Sequence, residues 1–169
     1  MFTDRGDSQM EYVVKDYNTR YFAGIELIGG LKVNTNDYDK IPGLWDDFRE
    51  VYLHDIPNKV VPNRFIGLEM YRFDFMESKT LDYFALVEIN ELFDCEDDDL
   101  VTKKLPKGRY ISFSIKHDDL MNEVERVYKY VEDEGLNVHL GFDVKEYLDT
   151  EDYKFPGAKL LLTFKLEDK

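Results

Sequence analysis

The sequence predicts an α+β domain in which a strand-helix-strand-strand unit occurs twice, at about 21–89 and 109–166. Three observations predict it. The same order of elements appears in both halves. The two candidate helices carry their apolar residues at the same offsets. Finally, 169 residues suit one ordinary domain, whereas either unit alone is too short to bury a core of its own. Two matched units imply pseudo-twofold symmetry, with a cleft on the axis between them.

The elements follow in order. Residues 1–9 are polar and read as a flexible start, leaving 10–169 as the domain. Glu11 to Lys15 is a short strand. Tyr21 to Ile28 is a buried strand closed by Gly29-Gly30. Asn34 to Asp39 is loop. Leu44, Trp45, Phe48, Val51 and Tyr52, at offsets 0, 1, 4, 7 and 8, share one helical face. Pro42 suits that helix's first turn, where its missing N–H costs little. Pro57 and Pro62 close the element. Strands follow at Phe65 to Phe73 and Leu81 to Ile89. The stretch 90–107 is an acidic connection, with five acids in the six residues 94–99, whose mutual repulsion favours a solvated loop.

The second unit opens with the alternating strand Arg109 to Ile115. Asp118 caps a helix at about 119–134. Its face is Leu120, Met121, Val124, Val127, Tyr128 and Val131, at offsets 0, 1, 4, 7, 8 and 11. Gly135 supplies the stop. Strands at Leu140 to Leu148 and Ala158 to Leu166 end the chain, with Phe155-Pro156-Gly157 turning into the last.

Composition narrows the function. Hydrophobic residues make up 43% of the chain, which supports a core. The formal charge is -14, from 36 acids against 22 bases. Such a surface repels phosphate, so direct nucleic-acid binding and docking to anionic membranes are both disfavoured. No apolar run approaches a membrane span, and Met1 to Ser8 lacks a signal peptide's apolar stretch. A single cysteine, Cys95, forms no internal disulfide. A cytoplasmic protein is expected.

Most catalytic motifs fail. Gly24 to Gly30 has a phosphate loop's glycine spacing, but its lysine is displaced to Lys32 and no Ser or Thr follows. No G-x-S-x-G occurs. His54, His117 and His139 lack metal-ligand spacing. The run from Asp94 lacks a calcium loop's glycine and its final acid, which here is Leu105. Neither a metal nor a cofactor is expected. Cys95, set among carboxylates, is a poor nucleophile.

Two strands carry the informative residues. With period two, Phe142, Val144, Glu146 and Leu148 share one face, and Asp143, Lys145 and Tyr147 the other. Glu146 thus stands in an apolar row, where a carboxylate is expensive unless it pairs, meets a ligand or reaches solvent. In the first unit Phe65, Gly67, Glu69, Tyr71 and Phe73 share a face. Acid and aromatic rings together resemble the wall of a cleft for a flat cation. Trp45, at the start of its helix, belongs either to the core or to that wall.

Several stretches together resemble the GyrI-like small-molecule-binding family, the effector-binding domains of AraC- and MerR-type regulators. They are Tyr12 to Lys15 with Tyr21 to Leu27, Ile41 to Phe48, Phe65 to Tyr71, Asp82 to Glu88, Leu105 to Tyr110, and the final strands with Phe155-Pro156-Gly157. Coverage is about 10–167. The resemblance implies an antiparallel sheet with both helices on one side and a central aromatic groove. It implies binding of hydrophobic, often cationic, small molecules by a stand-alone domain. The family's Phe-Glu-x-Tyr pattern meets Phe142-Asp-Val-Lys-Glu146-Tyr147 here, with acid and tyrosine adjacent. The ligand acid is therefore Glu146, because its row is apolar, with Asp143 in reserve and Glu69 as a third. Tyr71, Phe73, Tyr110, Tyr147 and Trp45 complete the binding set.

Three functions follow as alternatives. One is a sensor or sequestering domain for a cationic aromatic compound. Another is a hydrolase of lipophilic electrophiles, with Glu146 as base or nucleophile and Tyr71 as proton donor. The third is an acidic interaction module toward a basic protein partner, such as a gyrase-like target.

Overall fold

A computed structural model of the chain describes residues 10–116, 119–147 and 159–168. Nine strands are arranged as β1 (Tyr12–Tyr17), β2 (Arg20–Glu26), β3 (Leu31–Lys32), β4 (Phe65–Tyr71), β5 (Thr80–Ile89), β6 (Leu100–Leu105), β7 (Gly108–Lys116), β8 (Phe142–Tyr147) and β9 (Lys159–Lys165). They form one sheet in the order β1-β7-β9-β8-β4-β5-β2-β6, with β3 beside β5. Each pairing is antiparallel. The duplication is explicit in that order. The first unit contributes β4-β5-β2 and the second β8-β9-β7, and the two meet at β4 and β8.

Helix α1 (Ile41–Asp47) starts with proline in its first turn and lays Leu44 and Trp45 on the sheet. It passes into a wider turn over Phe48–Tyr52 and a 3-10 turn over Leu53–Asp55. Another 3-10 turn, Asn36–Lys40, precedes it where the sequence suggested loop. There Thr35 caps the turn by accepting from the Asp37 N–H. A single turn, α2 (Phe75–Ser78), joins β4 to β5. Helix α3 (Leu120–Asp133) buries Val127 and Val131. It ends at Gly135, whose φ of 63° suits glycine, while the Leu136 N–H returns to the Val131 carbonyl. Met121, expected on the buried stripe, is exposed. Asp118 and the turn at 155–157 lie outside the described residues.

Both helices cover the same face. The row Ile25, Ala85, Gly67, Lys145, Leu162, Phe113 crosses the sheet through successive partners. Trp45 and Phe48 of the first unit cover Ala23, Ile25, Phe65, Tyr83 and Ala85. Val127 and Val131 cover Ile111, Phe113, Leu160 and Leu162. On the opposite face Phe22, Ile66, Phe84, Leu105, Tyr110 and Val144 form a third apolar cluster. Tyr110 and Phe22 lie on strands far apart in the sheet order, so the sheet curls to bring them together.

The acidic connection departs from expectation in one respect. Residues 94–99 are irregular, but β6 follows at once and pairs with β2 along its length. Its Lys103 and Lys104 masked the alternation; Lys103 lays its ammonium 4.3 Å from the Phe84 ring centroid. Among the described residues no helix is long and apolar enough to cross a membrane.

Candidate functional site

The two helices cover the flanks of the sheet and leave its middle. The middle is the β4–β8 pair, in register as Phe65 with Tyr147, Gly67 with Lys145, and Glu69 with Asp143. Strand alternation turns Glu69, Tyr71, Asp143, Lys145 and Tyr147 to the helix side. A polar strip thus stands where an apolar core would otherwise continue.

Its geometry is specific. Lys145 Nζ donates to Glu69 Oε1 at 2.6 Å, with both side chains nearly buried. Tyr71 and Tyr128 donate their hydroxyls to Asp143 Oδ2 at 2.8 and 2.6 Å, and the two hydroxyls lie 3.2 Å apart. Asp143 itself is 1% exposed, and its Oδ1 is buried without a donor among the described residues. Under α1, Trp45 Nε1 donates to the Tyr83 hydroxyl at 3.0 Å. That hydroxyl occupies the space over Gly67, where a Cβ would collide with it.

Two carboxylates with one ammonium cannot all be charged cheaply. Burial works to raise Glu69, but the Lys145 charge and the hydrogen bonds from Asp143 and Lys145 prevail and hold it below its ordinary value. Burial and the charge of Glu69 push Asp143 well above the carboxylate range, against Lys145. Burial would lower Lys145, but Glu69 and Asp143 outweigh it and keep the ammonium charged. Burial, then the charge of Asp143, also raises both Tyr71 and Tyr128, so they remain donors. Tyr38, near the same acids, is pushed up to about 12, mainly by burial.

Beside this strip opens a cleft of about 1040 Å³. Asp143, Phe142 and Phe164 line it from the sheet, Tyr128 and Val131 from α3, and Tyr71, Phe73, Phe75 and Met76 from the β4–α2 corner. The loop from Gly135 to Gly141 completes the wall, with His139 hydrogen-bonded to Glu167 at 2.6 Å.

The sequence-derived candidates divide between the two faces. Tyr71, Phe73 and Asp143 line the cleft. Phe73 lies beyond β4 and is fully exposed. Glu69 is buried beside Asp143. Tyr147 and Trp45 stack in the adjoining core, ring centroids 5.3 Å apart. Glu146 and Tyr110 lie on the other face. There Glu146 approaches Arg20 at 3.4 Å, which also binds Glu88 at 2.8 Å, while the Tyr110 hydroxyl donates to the Pro106 carbonyl at 2.6 Å. The carboxylate in the apolar row therefore has an intramolecular cation as its partner. Lys145, Tyr128, Tyr83 and Tyr38 belong to the polar strip but escaped the sequence reading. A hydroxyl on the apolar stripe of α3 was the available signal for Tyr128, whose ring packs on Phe164 and whose hydroxyl then needs a partner. Among the described residues no group of three or more His, Cys, Asp or Glu side chains is arranged to hold a metal ion.

Known proteins place this fold. SAV2435 bound to tetraphenylphosphonium is 16% identical, with a TM-score of 0.71, covering 94% of each chain. The C-terminal domain of EcmrR is 16% identical, with a TM-score of 0.66, over 95% of this chain and 99% of that one. An integron cassette protein from the mobile metagenome of Vibrio cholerae, VCH_CASS2, is 16% identical, with a TM-score of 0.65, over 92% and 95%. No curated protein sequence matches. The likeness to GyrI-like domains read from the sequence stands. The family model of the integron-associated effector-binding proteins matches residues 15–166, and the chain belongs to that family, Cass2.

Proposed function

We propose that the chain binds a hydrophobic, cationic aromatic small molecule in the cleft beside β4 and β8, with Asp143 as the acid that recognises its charge. The observation that carries this reading is the buried carboxyl of Asp143 lining a cleft walled largely by aromatic and aliphatic side chains. With all three groups ionised, Glu69 and Asp143 exceed Lys145 by one negative charge. A ligand cation at roughly 6 Å from that charge gains about 3 kcal/mol at an effective dielectric near 20. Contact with the faces of Tyr71 or Tyr128 adds ~1–2 kcal/mol. Micromolar binding needs about 8 kcal/mol, and burial of the ligand's own rings against Phe73, Phe75 and Met76 supplies the remainder. The cleft volume of about 1040 Å³ suits a drug-sized molecule. Family membership and the tetraphenylphosphonium held by SAV2435 support the same ligand class.

Thermal unfolding tests this directly. Tetraphenylphosphonium at a hundred times its dissociation constant stabilises the protein by about 2.7 kcal/mol, and neutral triphenylphosphine oxide at the same concentration much less. Equal shifts from both compounds, or from neither, refute the reading.

A further inference from the structure

The hydrogen bonds of the polar strip are asymmetric. Glu69 has its ammonium, Lys145. Asp143 Oδ2 has both tyrosine hydroxyls. Asp143 Oδ1 is buried, and no donor among the described residues reaches it. An ionised oxygen there would be shielded from bulk solvent, with no N–H or O–H of the described residues within hydrogen-bond reach. A protonated one donates to Glu69, its direct partner across the β4–β8 pair.

We propose that the site exchanges a proton for the ligand's charge: Asp143 carries a proton on Oδ1 in the unliganded protein and loses it to solvent when an organic monocation enters the cleft. The inference rests on the cation-binding reading and adds its stoichiometry. One O–H bond breaks, its electron pair stays on Oδ1, and no bond forms to the ligand. Before binding, Glu69 and Lys145 cancel and Asp143 is neutral. Afterwards the ligand's single positive charge balances the new carboxylate. The buried charge is zero in both states, which selects one positive charge rather than two.

The groups facing Asp143 are consistent with this exchange. They are Lys145 on its own strand, Glu69 and Tyr71 on β4, Tyr128 on α3, and Tyr38 on the 3-10 turn. All three tyrosines are held above their ordinary range, so at neutral pH they keep their protons. Arg72, Glu132 and His139 also line the cleft. His139, paired with Glu167, calls for its own control.

The test is calorimetric titration of the full chain with tetraphenylphosphonium between pH 6 and 8, in buffers of differing ionisation enthalpy. The expected result is about one proton released per cation bound. Affinity should rise about tenfold per pH unit while Asp143 is protonated in the free protein. His139→Gln should keep that slope. Triphenylphosphine oxide should release no proton and bind independently of pH. Asp143→Asn, if folded by circular dichroism, should lose both the release and the slope; if it does not fold, the wild-type proton count decides alone. Cation binding without proton release, at a pH-independent affinity, overturns the exchange and leaves the cleft reading intact. No binding of tetraphenylphosphonium at any pH overturns both.

Discussion

Lys145 and Gly67 face each other across the central strand pair, and each limits what the site tolerates. Lys145→Met leaves Glu69 buried with its ammonium gone. The expected cost is about 3–5 kcal/mol in urea unfolding, largely restored when Glu69→Gln is added. A small loss in the single variant would show that Glu69 does not need its partner. Gly67→Ala places a methyl against the Tyr83 hydroxyl. Overpacking of this kind costs about 1–3 kcal/mol by the same measurement, and a neutral effect would mean that Tyr83 moves freely. At this scale the sequence was half legible. Alternation put Asp143 and Glu146 on opposite faces, as the structure has them. What alternation does not contain is the identity of the partner. Glu146 looked costly in its apolar row, but Arg20, 126 positions away, reaches it.

Arg20 belongs to β2 and Glu146 to β8, so their contact spans the face away from the helices and helps hold the sheet's curl. Arg20 also stacks 4.5 Å from the Tyr17 ring centroid at the end of β1. Arg20→Met therefore leaves Glu88 and Glu146 without their cation. A loss of about 3–5 kcal/mol in stability is expected, with the affinity for tetraphenylphosphonium within twofold of wild type. A change in affinity of tenfold or more would mean that the two faces are coupled. Both helices and the six strands of the two units were legible, because period and proline placement are local properties. Strands β3 and β6 were not. The former is two residues long, and the lysines of the latter hid an edge strand that packs by its aliphatic stems. The site's tyrosines come from a helix, three strands and a 3-10 turn, and only the duplicated topology brings them together.

Across the whole molecule, the two units meet at β4 and β8 and set a strip of charge between the two helices. The strip links stability to pH. Glu69 is held below its ordinary value in the fold, so its contribution is complete above the unfolded carboxylate range and fades as pH falls through its folded value. Asp143 is held above its ordinary value, so the folded chain binds a proton that the unfolded chain releases. Its contribution is complete below about pH 4 and declines as pH rises toward its folded value. Asp143→Asn keeps a donor toward Glu69 and removes that titration, so its stability relative to wild type should increase as pH rises from 4 to 8 in urea melts. A constant difference would show that Asp143 is already ionised. The net charge of -14 adds only a diffuse attraction for cations, which salt screens. The proposed recognition rests instead on which acid faces the cleft, and this is tested most directly by titrating tetraphenylphosphonium at pH 8 into wild type, Asp143→Asn and Glu146→Gln. The expected result is at least tenfold weaker cation binding for Asp143→Asn, with triphenylphosphine oxide within twofold, and wild-type affinity for Glu146→Gln. Retention of cation binding by Asp143→Asn with its loss in Glu146→Gln would contradict it.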